Sequence, residues 1–120
     1  MKKDVSFYIK DILECINKIE EYTKDKEKDI FYNDPELQDA VVRRIEIIGE
    51  ATKHIPDEIR QKYPDIPWKD IAGMRDVVIH HYDMVDLEEV WKVIKENIPA
   101  IKPVIKQAYE DLRKQYAPPA

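Results

Sequence analysis

The run Arg75-Asp-Val-Val-Ile-His80-His-Tyr82 puts a permanent cation, a group that titrates near neutral pH and a phenol within eight residues. A guanidinium matches a phosphate bidentately, and an imidazole takes or gives a proton under physiological conditions. Together they suit chemistry on a phosphodiester that needs no metal. RNA cleaved by its own 2′-OH requires a base for the hydroxyl proton, an acid for the leaving oxygen and positive charge at the phosphorane. His80 fits the proton roles and Arg75 the electrostatic one. One His cannot be base and acid in a single step, so a two-fold dimer presenting two copies in one cleft suits the reaction. On a regular helix five residues stand about 140° apart, so Arg75 and His80 of one chain would not share a face. Tyr82, seven residues after Arg75, would share its side. Both points favour a site composed across a dimer.

The neighbours qualify this picture. Asp76 lies four residues before His80, and on a helix it would share that face and orient the imidazole, although a carboxylate repels a phosphate. His81 is the alternative to His80 at a looser spacing, and otherwise a substrate contact. Arg43 and Arg44, upstream, are candidates for holding substrate, with surface ion pairs as the plain alternative. In an ordinary helix Arg75 would be an ion-pair partner and Tyr82 a half-buried aromatic. Trp68 and Trp91 read as core anchors, and Cys15 as an inert buried thiol. His54, His80 and His81 include no His-x3-His pair and have no clustered Cys beside them, so no metal site and no cofactor are expected.

The elements that must position these residues are helices. Val5, Tyr8, Ile9, Ile12, Ile16 and Ile19 recur at helical spacing and predict a first helix from residue 4 to about 24, capped by Asp4. The charged run 24–29 reads as a solvated helix end and loop. Asp34 with Pro35 opens a second helix whose core stripe is Leu37, Val41, Ile45, Ile48, Ala51 and Ile55. Ala40 and Ile47 widen that stripe, and Gly49 suggests a close helix crossing. Residues 57–61 suit one short turn. A third helix, 68 to 82, is expected to carry the motif. Asp86 with Glu89 then resembles a capping box for a fourth helix from Leu87 to Leu112, which Pro99 and Pro103 must kink or split. No strand pattern is visible. The expectation is an all-α, antiparallel up-and-down bundle of four or five helices, one domain over 1–116 with a frayed tail at 117–120.

The totals agree with a single domain: 120 residues with only two glycines. A formal net charge of −5 argues against tight duplex binding by bulk electrostatics, and leaves room for an enzyme that holds RNA transiently at a local patch. The single cysteine cannot form an internal disulfide. No continuous apolar run suits a signal peptide or membrane span, so a soluble, cytoplasmic protein is expected.

A wider array surrounds the motif. Gln38-Asp-Ala-Val-Val-Arg-Arg-Ile-Glu-Ile-Ile-Gly-Glu-Ala51 comes first, then Tyr63-Pro-Asp-Ile-Pro-Trp68 and Ile71-Ala-Gly-Met-Arg75. His80-x-Tyr82 and Val85-Asp-Leu87 with Trp91 follow. In this order the array, from about residue 6 to 112, resembles the HepT-like branch of the HEPN superfamily, helical toxins paired with minimal nucleotidyltransferases. The resemblance implies an Arg-x4-His-x-Tyr active site, a metal-independent endoribonuclease and a homodimer, with room for higher assembly. It also implies an antitoxin that silences the enzyme by adding AMP to the motif tyrosine. By position these roles fall on Arg75, His80 and Tyr82. Members of this branch usually carry Asn after the Arg, where this chain has Asp76. The alternative reading is a non-catalytic interaction module, or an antidote, that binds and regulates the nucleotidyltransferase.

Overall fold

Each long helix begins where a side-chain cap can satisfy its free N–H groups. The computed structural model describes residues 4–81 and 84–115, with the backbone alone at His81. Helix α1 (Val5–Thr23) starts at Asp4, whose carboxylate accepts from the Ser6 N–H at 2.7 Å. Helix α3 (Pro35–Lys53) starts at Asp34, which accepts from the Leu37 N–H at 3.1 Å, with Pro35 as its first residue. Between them the charged run yields one further helix, α2 (Lys28–Tyr32), which buries Phe31 completely. A loop was the expectation there. Phe31, with the half-buried Tyr32 beside it, is what pins the turn to the core.

The predicted stripe of α3 is buried, as is Ile55 just beyond it. The C-terminal end of α3 has no glycine cap. Instead Arg60, on the short helix α4 (Asp57–Lys62), reaches back to carbonyls at and just beyond that end. Its Nη2 donates to Thr52 O at 2.8 Å and its Nε to Ile55 O at 3.0 Å.

The third predicted helix is where the structure departs from the expectation. Instead of one helix over 68–82 there are two single turns, α5 (Trp68–Ala72) and α6 (Met74–Val78), joined at Gly73. They lead into a small antiparallel hairpin, β1 (Ile79–His81) and β2 (Met84–Val85). Ile79 lies opposite Val85 and His81 opposite Met84, with an irregularity between the two pairs. Two features turn the chain out of the helix. Val77-Val78-Ile79 is a β-branched run, which favours extended backbone. The Val78 carbonyl, which a continuing helix would offer to residue 82, accepts instead from the Asp86 N–H at 2.8 Å.

The last rod is also composite: α7 (Leu87–Lys92), a π-helical turn Val93–Asn97 and α8 (Ile98–Gln115). Asp86 caps α7, and the Ile98 N–H reaches back to Val93 O. Pro99 lacks a donor and crowds the carbonyl of Lys95, so the widened turn falls where that crowding must be relieved. Pro99 therefore changes the helix type and Pro103 is accommodated within α8, and neither breaks the rod.

The molecule is an all-α bundle in which α1 packs on both α3 and α8, while α5 and α6 lie across α3. Trp68 is buried, its Nε1–H donating to Tyr63 O at 3.0 Å. Trp91 is half-buried against Phe31, with ring centroids 5.5 Å apart. No helix among the described residues is long and apolar enough to cross a membrane.

The crossing of α3 with α5 sits at Gly49, as expected, and it is tight. A Cβ there would lie 3.3 Å from the Ala72 carbonyl oxygen. Alanine regains helix propensity but must push a backbone carbonyl by a few tenths of an ångström. Valine adds two methyls in the same gap. We predict that Gly49→Val destabilises the fold by about 1–3 kcal/mol, read as a lower urea midpoint at unchanged slope, while Gly49→Ala stays near neutral.

Candidate active site

Arg75 is the second residue of α6 and His80 the middle of β1, so the turn from helix to strand, rather than a helix face, sets their relation. Both are exposed, with 45% of the Arg75 side chain and 54% of the His80 side chain open to solvent. That degree of access suits groups that must meet a substrate.

Arg75 Nη1 lies 3.4 Å from Oδ1 of Asp76, its immediate neighbour. The two line a shallow recess with Ala72, facing Glu46, Gly49, Glu50 and Lys53 of α3. The charges there are mixed: Lys53 is 3.2 Å from Glu50, and Glu46 and Asp76 add negative charge. Arg43 borders a second recess beside it, which shares Glu46 and Glu50 and also holds Asp11 and His54. Arg43 and Arg75 therefore flank the same two α3 carboxylates. Arg44 turns the other way, toward α1, with Nη1 3.9 Å from Cys15 Sγ and Nη2 3.5 Å from the Tyr22 hydroxyl. It lines neither recess, whereas the expectation grouped it with Arg43 as a substrate contact. Cys15 itself is buried, and burial pushes its thiol up, partly countered by Arg44. This agrees with an inert core thiol.

His80 has a carboxylate partner, but it is not Asp76. The helical spacing that would have placed Asp76 on the imidazole ends at Val78, and Asp76 faces Arg75. Asp86 takes the position instead, with its Oδ2 3.2 Å from His80 Nε2. The same carboxylate caps α7 through Oδ1, which accepts from the Glu89 N–H at 3.1 Å. The Glu89 N–H, and after it the hydrogen bond with His80, hold the Asp86 carboxyl below its ordinary value of 3.8. Asp86 was legible in the sequence as a helix cap. Its second role depends on the hairpin, whose only sequence signal is the β-branched run before His80.

Tyr82 lies outside the described residues, as does the side chain of His81, so the modification site and the second histidine are not placed. His54 stacks on Tyr8, with centroids 4.9 Å apart and planes 14° from parallel. Among the described residues no three His, Cys, Asp or Glu side chains come together as a metal site. Three large apolar side chains near the motif are exposed: Val77 (48%), Met84 (55%) and Val85 (40%). Val77 lies on α6, and Met84 and Val85 form β2, so all three lie on the elements that carry or pair with the motif.

Comparison with known proteins gives one consistent result. The family model described as ribonuclease HepT-like matches residues 12–108. A Thermococcus cleftensis protein named "probable ribonuclease HepT" is 44% identical over 114 residues, covering 95% of this chain and all of that protein. A Methanocaldococcus jannaschii protein named as a "putative RNase" is 43% identical over 114 residues, covering 95% of this chain and 98% of its own. Another from that organism, named as a "gamma-glutamylcyclotransferase and putative RNase", is 54% identical over 114 residues. This chain spans about half (51%) of that protein's length. No solved structure matches the chain.

Proposed function

The chain belongs to the HepT-like ribonuclease family, and from that premise we propose that it is a metal-independent endoribonuclease, the toxin of a pair with a minimal nucleotidyltransferase. The observation that carries the reading is the motif itself: an exposed guanidinium on α6 followed by an exposed, carboxylate-held imidazole on β1. In this reading the RNA 2′-oxygen attacks phosphorus as one His80 removes its proton. The bond to the 5′-oxygen breaks, and that oxygen takes a proton from a second, protonated His80. A 2′,3′-cyclic phosphate and a free 5′-hydroxyl result. Arg75 offsets the charge that gathers on the phosphorane oxygens. In this reading Arg43, beside the same α3 carboxylates, would hold the chain of phosphates.

Two imidazoles require two chains, and the exposed Val77, Met84 and Val85 support a homodimer that closes over the motif. The Arg75-x4-His80-x-Tyr82 spacing supports Tyr82 as the residue the nucleotidyltransferase modifies with AMP. Such an adduct would bring a bulky anion into the cleft and repel RNA. One feature favours the second reading, a non-catalytic module or antidote that regulates the nucleotidyltransferase. The recess at Arg75 holds more carboxylates than cations, an unwelcoming field for a polyanion.

The deciding experiment is incubation of purified wild-type protein with a total RNA pool in excess EDTA, with the ends of the products identified. Cleavage leaving cyclic-phosphate ends is expected. Intact RNA, from a dimer whose Tyr82 is shown by mass to be unmodified, would favour the module.

A further inference from the structure

The position of the Asp86 carboxylate is fixed before His80 meets it. Oδ1 is held by the Glu89 N–H in the first turn of α7, and the Asp86 backbone N–H is held by Val78 O at the start of the hairpin. The remaining oxygen, Oδ2, is the one aimed at His80 Nε2. An ionised carboxylate can only accept hydrogen bonds, so the ring nitrogen facing it must carry the proton. A neutral imidazole has one N–H, and the lone pair then resides on Nδ1. The other charged groups on the neighbouring elements are Arg75 and Asp76 on α6, which pair with each other, and Glu88, Glu89 and Lys92 on α7. His81 follows on β1, and β2 contributes no charge.

We propose that Asp86 is the positioning residue of His80: it fixes the rotation of the ring and its Nε2–H tautomer, making Nδ1 the atom that exchanges protons with substrate. The proposal rests on the ribonuclease reading of the same site. In the cleavage step the 2′-O–H proton passes to Nδ1 of one His80 as the new O–P bond forms. The departing 5′-oxygen takes its proton from Nδ1 of the second. The first ring becomes an imidazolium whose new charge Asp86 offsets, and the second becomes neutral.

Asp86→Asn separates positioning from capping. Asn caps a helix as well as Asp does, and with its oxygen on the Glu89 N–H it turns its NH2 toward His80. That group donates, so Nε2 must accept, and the ring proton moves to Nδ1 where the base is needed. In a serine protease the equivalent exchange of carboxylate for amide lowers kcat about 10⁴-fold. Here we expect a fall in kcat of about a hundredfold or more, with KM nearly unchanged and melting close to wild type. Two-bond proton–nitrogen spectra, taken well above the ordinary histidine range, should show His80 as the Nε2–H tautomer in wild type and the Nδ1–H tautomer in Asp86→Asn. Asp86→Ser keeps a cap but is too short to reach the ring, and should give a smaller loss of kcat with mixed tautomers.

Wild-type kcat in Asp86→Asn, or an Nδ1–H ring in the wild-type protein, would overturn the proposal. Should wild type itself cut no RNA, the ribonuclease reading fails, and the tautomer spectra still decide what Asp86 does. Should Asp86→Asn fail to fold, the wild-type spectrum and Asp86→Ser decide it.

Discussion

His80→Ala protein is expected to cut RNA in EDTA about 10²- to 10⁴-fold more slowly than wild type in a single-turnover assay, the range for removal of a general acid–base group. Arg75→Ala should lose about 10²- to 10³-fold, the range for a group that stabilises developing charge. The two losses have different sources and can be told apart. The His80 loss cannot be recovered by another cation at that position, because the missing element is proton transfer. Arg75→Lys restores the charge without the planar fork, so it should recover part of the rate and leave a deficit that measures bidentate contact. Neither variant should melt differently from wild type, since both side chains are about half exposed and neither fills the core. Wild-type rates in His80→Ala would remove His80 from the reaction and leave His81 as the candidate.

The largest loss of stability should come from Phe31→Ala. Phe31 is fully buried, packs on Trp91 and is the reason α2 exists as a helix. Removing a buried phenyl costs about 3–5 kcal/mol, which for a domain of this size lowers the melting temperature on the order of 10–20 °C. Phe31→Leu should lose far less, because it leaves a smaller void. The neighbour also matters. Trp91 lies on α7, whose first turn is capped by Asp86, so a cavity at Phe31 loosens the rod that carries the partner of His80. Well below the melting transition, cleavage per folded molecule should nevertheless remain near wild type. A rate loss at low temperature as large as that of His80→Ala would mean that Phe31 supports the site directly. Calorimetry alongside the RNA assay distinguishes these outcomes.

What could be read from the sequence follows a physical division. Periodic apolar residues report burial along a helix, so α1, α3 and the last rod were legible from Ile9, Ile45 and Ile105. Caps report local hydrogen bonding, so Asp4, Asp34 and Asp86 were legible too. Gly49 was legible as a close approach because it interrupts an otherwise good helix. The hairpin was not. Residues 74–82 have helix-compatible spacing, and their departure from helix depends on where the Val78 carbonyl finds its donor. That donor is Asp86, eight residues on, which no local pattern predicts. The same error carried Asp76 onto His80, since an i, i+4 relation holds only while the helix lasts. Arg44 shows a different limit. Adjacent arginines on a helix point about 100° apart, so Arg43 and Arg44 could not both face one recess, and sequence alone does not say which one does.

Asp86 and Asp76 therefore differ in what the fold asks of them. At position 86 one side chain begins a helix through Oδ1 and meets an imidazole through Oδ2, so the cap and the site share two oxygens of one carboxylate. A substitution there is felt by both unless, like Asn, it keeps the cap. Asp76, among the described residues, bonds Arg75 alone and carries no part of the fold. Asp76→Asn should therefore leave the melting temperature of the bundle unchanged. The acid inside the motif is the one the fold does not lean on, and the acid that ties the imidazole to a helix start lies outside it.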